Sequence, residues 1–131
     1  MSEKIFIMAI DDDDTILDIY ESGLSSSYEL KTFDNPIKAK EFINSNERKP
    51  DVILMDIMMP QIDGIALMSE IHSQESTKHI PIIAISGLND AATLNDALLF
   101  GALDYMVKPF DLGELESKIK KAAEISRRKN H

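Results

Sequence analysis

The feature that most constrains this chain is an alternation. Residues 5–10, 52–55 and 82–85 are short, continuous apolar runs, which suit strands buried on both faces. Residues 28–33 alternate instead, with Tyr28, Leu30 and Thr32 on one side, and predict a half-exposed strand at an edge. Residues 103–107 form a short fifth run. After each run comes a helical stripe: Ile16, Ile19, Tyr20 and Leu24; Ile37, Phe42 and Ile43; Ile65, Leu67, Met68 and Ile71; Ala91, Leu94 and Leu98; Leu112, Leu115, Ile119 and Ala122. Asp13 or Asp14, Asn35 before Pro36, the 88–90 loop and Asp111 supply helix caps, and Gly101 ends the fourth helix. Strand and helix in strict alternation predict one parallel sheet covered on both faces. With right-handed crossovers, the flavodoxin-like order 2-1-3-4-5 follows, because it puts residues 28–33 at the edge. The expectation is one α/β domain over 1–131, with no internal repeat.

All carboxyl ends of a parallel sheet share one rim, and ligands bind there. At that rim the sequence places Asp11 and Asp12 after the first run, Asp56 after the third, Ser86 after the fourth and Lys108 after the fifth. A solvated charge run accounts for Asp13 and Asp14, which can cap a helix; it accounts poorly for Asp11 and Asp12, which directly end a buried strand. Converging carboxylates repel by about 4 kcal/mol per pair at about 4 Å and an effective dielectric of about 20. Lys108 offsets part of this, and a hard divalent cation would offset the rest, with Mg²⁺ the usual occupant of a few carboxylates plus waters. A metal, an ammonium and the Ser86 hydroxyl around one carboxylate suit phosphoryl transfer to that carboxylate.

Charge and composition narrow the alternatives. A net charge of −9 and a pI near 4.7 argue against a nucleic-acid or anionic-membrane surface. The chain has no cysteine, so disulfides, thiolate zinc sites and cysteine nucleophiles are excluded. No apolar run approaches the roughly 20 residues of a membrane span, and a cytoplasmic location is expected. The histidines lack metal-ligand spacing and are assigned no site.

The combination of Asp11-Asp12, Asp56 within Met55-Asp56-Ile57-Met58-Met59-Pro60, Asp63-Gly64, Ser86-Gly87, and Tyr105 ahead of Lys108-Pro109-Phe110 resembles the receiver domain of bacterial two-component response regulators, over nearly the whole chain. The resemblance implies a CheY-like fold and a role for each residue. Asp56 would accept the phosphoryl group. Asp11, Asp12, Asp56 and the Met58 backbone carbonyl would hold Mg²⁺, directly or through water. Lys108 would pair with the carboxylate and then with the phosphoryl group, and Ser86 would hydrogen-bond it. Tyr105 would be an aromatic switch that turns inward as Ser86 moves, and the Lys108–Pro109 bond would be cis. The phosphodonor would be a sensor histidine kinase, a phosphotransfer protein or a small acyl phosphate. The chain would catalyse its own phosphorylation and dephosphorylation and no other turnover. A homodimer or a downstream effector would be engaged through the fourth helix, fifth strand and fifth helix, where Leu99 and Leu103 are apolar. Met58 and Leu88, which cannot orient a water, would make the phosphorylated state long-lived.

Two readings from other classes compete. A flavodoxin-like cofactor binder needs a phosphate-cradling loop after the first strand, where this chain has four aspartates. A phosphatase of the haloacid-dehalogenase type would use Asp11 as nucleophile with Asp13 two residues on, and would leave Asp56 without a role. No effector follows residue 131, so the chain is either a stand-alone regulator or a receiver cut from a longer protein.

Overall fold

The computed structural model describes residues 4–58, 64–87 and 91–129. Its elements run β1 (Phe6–Ile10), α1 (Asp14–Leu24), β2 (Glu29–Phe33), α2 (Pro36–Ile43), β3 (Val52–Asp56), α3 (Gly64–Ser73), β4 (Ile82–Ser86), α4 (Ala91–Leu99), β5 (Asp104–Val107) and α5 (Leu112–Lys129). The strands form one parallel sheet in the order β2-β1-β3-β4-β5. All residues of β1, β3 and β4 are buried, as continuous apolar runs require, and β2 is half-exposed at its edge.

Strand side chains alternate between two separate cores. Met8, Ile10, Ile53, Met55, Ile82 and Ala84 face α2, α3 and α4. Ile7, Ala9, Val52, Leu54, Ile83 and Ile85 face α1 and α5. Each fully buried Ile, Leu or Met contributes roughly 1.5–3 kcal/mol, so neither layer of helices is dispensable.

Three helices turn their apolar stripes differently from the sequence expectation. On α1 the buried residues are Leu17, Tyr20 and Leu24, while Ile19 is exposed. On α2 Ala39 and Ile43 are buried and Ile37 is exposed. On α4 Leu94 and Ala97 are buried and Leu98 is exposed; the Ala91 side chain lies outside the described residues. Each helix carries more apolar residues than its sheet-facing stripe can hold, so the sheet, not the pattern, selects among neighbours about 100° apart. The stripes of α3 and α5 are buried on Leu67, Met68 and Ile71, and on Leu115, Ile119 and Ala122.

The helix ends follow the capping residues. Asp13 accepts from Thr15 N at 2.9 Å, Asn35 from Ile37 N at 2.7 Å, and Asp111 from Glu114 N at 2.9 Å. Gly101 follows α4 with φ +126°, a conformation that favours glycine. The expected cap of α4 at 88–90 lies outside the described residues.

At the amino-terminal rim Asp51 ties three segments together. Its Oδ2 accepts from Phe6 N at 2.9 Å and lies 3.3 Å from an Arg127 nitrogen, which also donates to the Lys4 carbonyl at 3.2 Å.

Candidate functional site

The same alternation that divides the cores aims the rim residues. Ile7, Ala9 and Asp11 share one face of β1; Val52, Leu54 and Asp56 share that face of β3; Met106 and Lys108 continue it from β5. Asp11, Asp56 and Lys108 therefore converge on the α1 and α5 side. Lys108 Nζ lies 2.8 Å from Asp11 Oδ2 and 3.6 Å from Asp56 Oδ2. The remaining oxygens are held locally: Asp11 Oδ1 accepts from Asp13 N at 2.9 Å and Asp56 Oδ1 from Met58 N at 3.0 Å. Asp12 is exposed and completes the group, and Asp11, Asp12 and Asp56 each bring a carboxylate oxygen within 4.8 Å of the others. The group opens into a cleft of about 680 Å³ lined also by Met58 and Gly87.

The electrostatics follow from that geometry. Burial raises the Asp56 pKa most; the Met58 N–H pulls it back, Asp11 raises it, Lys108 lowers it and Asp12 raises it, leaving it at about 7. Burial alone would lower the Lys108 pKa. The contact with Asp11, then the charges of Asp11, Asp56 and Asp13, outweigh it and hold the ammonium above its ordinary range. Asp11 Oδ2 is buried and has the Lys108 ammonium as its partner. Oxygen-only donors and an excess of negative charge fit a hard divalent cation.

Ser86 is fully buried and lies on the opposite face of the sheet by strand parity. Tyr105 shares that face. It pairs in register with Ala84, two residues before Ser86, and its ring is 39% exposed with Lys118 Nζ 5.9 Å from the centroid. The Lys108–Pro109 bond is cis, as the resemblance implied. Asp13, the second aspartate of the dehalogenase-type reading, spends its side chain capping α1.

Met58 is described and its side chain is exposed, whereas Met59, Pro60, Asp63 and Leu88 lie outside the described residues. Two features escaped the sequence reading. Gly64 is more than a loop marker: a Cβ there would lie 2.5 Å from Ile57 Cα and 2.7 Å from the Asp56 carbonyl oxygen, so α3 starts hard against the strand end that carries the site. Tyr20 is more than a core ring, because its buried hydroxyl is within electrostatic reach of Asp11 and Asp56.

A family model described as the response regulator receiver domain matches residues 7–120. The transcriptional regulatory protein KdpE of Staphylococcus aureus is 39% identical over 128 residues, 97% of this chain and 52% of that protein. PrrA of Mycobacterium leprae, also a transcriptional regulatory protein, is 32% identical over 115 residues, 87% of this chain and 48% of its own length. The chain thus spans about half the length of these relatives. Among solved structures, a CheY-like receiver domain protein from Methanospirillum hungatei superposes with a TM-score of 0.86 at 25% identity, over 97% of this chain and 99% of that one.

Proposed function

The chain belongs to the response regulator receiver family of two-component signalling, and we propose that it works there as a Mg²⁺-dependent phosphoacceptor switch whose acceptor is Asp56. The observation that carries this reading is the grouping of Asp11, Asp12 and Asp56 within 4.8 Å, with Lys108 Nζ 2.8 and 3.6 Å from two of them. No family role is needed to see that such a group attracts cations and, once neutralised, admits an anion.

In the proposed step an ionised Asp56 oxygen attacks phosphorus. The bond between phosphorus and the donor's leaving atom breaks, and the electron pair departs with the leaving group, an imidazole or an acyl carboxylate. Asp11, Asp12, Asp56 and the Met58 carbonyl would hold Mg²⁺, which would neutralise charge on the transferring group. Lys108 is placed to follow the charge from the carboxylate to the phosphoryl oxygens, and Ser86 supplies a hydroxyl at the neighbouring strand end. The donor is a sensor histidine kinase or a phosphotransfer protein in the cytoplasm, and residues 1–131 act as one receiver domain. Catalysis stays confined to the protein's own aspartate.

The output is carried by Ser86 and Tyr105 to the surface of α4, β5 and α5. There Leu99 is 80% exposed and Leu103 44% exposed, close in sequence to exposed Leu98 and Phe100. A second copy or a downstream effector docks on that surface; this acidic domain itself offers nothing to nucleic acid. Among the described residues no helix is long and apolar enough to cross a membrane.

Intact mass after incubation with acetyl phosphate and Mg²⁺ tests the reading. The wild type gains one phosphoryl group, and Asp56→Asn or excess chelator abolishes the gain. An adduct that persists in Asp56→Asn refutes it.

A further inference from the structure

β2 is the outer strand of the sheet, with β1 as its strand neighbour. Its register runs unbroken from Phe6 opposite Glu29 to Ile10 opposite Phe33, with no proline in the strand. Bulges and prolines are two devices that blunt an edge, and β2 uses neither. The ladder itself shows which backbone groups face outward. Glu29 N donates to the Ile5 carbonyl at 2.9 Å, and the Phe33 carbonyl accepts from Asp11 N at 3.0 Å. Glu29, Lys31 and Phe33 therefore turn their polar groups to β1. The N–H and C=O of Leu30 and Thr32 point to the outer edge, and both residues are only half-buried.

The charges on β2 select one arrangement for a strand added there by a second copy. Under two-fold symmetry the outward groups can meet with Leu30 opposite Leu30, Leu30 opposite Thr32, or Thr32 opposite Thr32. The second register sets Lys31 against Lys31 and is repelled. The third sets Lys31 against Phe33 and Glu29 against Asn35, with no opposite charges. The first sets Glu29 against the partner's Lys31, twice by symmetry, at the non-hydrogen-bonded positions where side chains come closest. Both side chains are exposed on the α2 face of the sheet. Arg48 holds Glu29 there at 2.8 Å. Lys31 Nζ lies 5.2 Å from the Phe42 ring centroid and 5.8 Å from that of Phe33, and among the described residues it meets no carboxylate. Beside them a groove of about 390 Å³, lined by Phe6, Phe42, Lys31 and Arg48, has room for arriving side chains. We propose that the β2 edge is a self-association surface, on which a second copy of this chain adds antiparallel with Leu30 opposite Leu30. Two five-stranded sheets become one continuous sheet. β2 and β5 are opposite edges, so the contact leaves the α4, β5 and α5 surface open and needs neither metal nor phosphate. One strand pair is a small interface, and the dimer is accordingly weak and transient.

The test is sedimentation equilibrium of the unphosphorylated chain in chelator at about 0.15 M salt, where a monomer–dimer equilibrium with Kd under about 1 mM is expected. Lys31→Glu and Glu29→Lys should each weaken it by about tenfold or more, since each sets like charges across the axis twice. An equimolar mixture of the two variants should associate again, because opposite charges then meet at both places. Thr32→Pro removes an outward N–H and no bond to β1, and should weaken the dimer in the same way. Should Glu29→Lys, which also loses Arg48, melt below the wild type, Lys31→Glu and Thr32→Pro carry the comparison. Residue-resolved hydrogen exchange locates the contact: the Leu30 and Thr32 amides should slow by about twofold or more between about 0.05 and 1 mM protein, and the Lys31 amide, already in the ladder, should not change with concentration. A monomer up to about 1 mM leaves the edge to a different chain and overturns the proposal. Wild-type association in both Lys31→Glu and Thr32→Pro, a mixture that associates no better than its components, or concentration-independent exchange at Leu30 and Thr32 overturns it too.

Discussion

Replacing Asp56 with Asn should make the metal-free protein more stable, by an amount that grows as pH rises from about 4 to about 7. Lys108 Nζ lies 3.6 Å from Asp56 Oδ2, worth about 5 kcal/mol of attraction at an effective dielectric of about 20. Asp11, with an oxygen within 4.8 Å, returns at least ~3.5 kcal/mol of repulsion, and exposed Asp12 adds a screened share. The Coulomb contributions nearly cancel, and the burial of an ionised carboxylate is left uncompensated. This is why the Asp56 pKa stands at about 7. The sign follows from linkage. Between its ordinary pKa near 4 and about 7 the native state holds a proton that the unfolded state has lost, so the stability given by Asp56 falls as pH rises through that window. Asn has no such proton. It still accepts from Met58 N, and Lys108 keeps Asp11 as its partner. In chelator, Asp56→Asn should therefore match the wild type at about pH 4 and below, and exceed it by roughly 4 kcal/mol at about pH 8 in urea unfolding, at about 1.4 kcal/mol per pH unit of the window. Mg²⁺ narrows the gap, because saturation at about 100 times Kd adds about 2.7 kcal/mol to the protein that binds it, and the variant has lost one of three carboxylates. A variant less stable than the wild type at high pH in chelator, or a difference that ignores pH, refutes the reasoning.

The remaining expectations concern the metal, the strand end, the output surface and the lifetime. Below about pH 7 Mg²⁺ affinity should fall by up to about tenfold per unit, since Asp56 must lose its proton to bind; isothermal titration across pH checks this, and a flat profile contradicts it. Gly64→Ala forces a methyl against the Asp56–Ile57 backbone and should cost about 1–3 kcal/mol in unfolding, with weakened Mg²⁺ binding in the same protein. Leu99→Glu with Leu103→Glu should leave phosphorylation intact yet abolish phosphorylation-dependent dimerisation or effector binding, read by sedimentation and pull-down with the isolated partner. Phosphorylated Met58→Asn and Leu88→Glu should each lose phosphate faster than the wild type at fixed Mg²⁺, by roughly tenfold per hydrogen bond to the attacking water, and the double variant fastest.

The rim of the sheet was readable because it is punctuated. Asp11, Asp56, Ser86 and Lys108 each stop an apolar run, and a parallel sheet has one place for such ends. The strand order was readable for a related reason: β2 alone carries alternating polar residues, so it belongs at an edge. Helix orientation was less legible. Ile19 and Leu17 are equally apolar, and which one meets Ile7 and Leu54 depends on how α1 lies across strands made elsewhere in the chain. The same applies to Leu98 and Ala97. The Tyr20 hydroxyl was invisible for a third reason: a tyrosine in an apolar stripe reads as a ring, and its oxygen matters only once Asp11 is known to face the same side.

The division of the interior has a consequence for how this protein can change over generations. Residues such as Ile10 and Met55 pack with α2, α3 and α4, and their chain neighbours Ala9 and Leu54 pack with α1 and α5. Among the described residues the two sets form separate clusters on opposite faces of the sheet, so substitutions in one should add to those in the other with little coupling. A lineage acquiring a new partner on the α4 side can therefore drift through many intermediate cores while the α1 and α5 side, with the carboxylates it cradles, stays as it was.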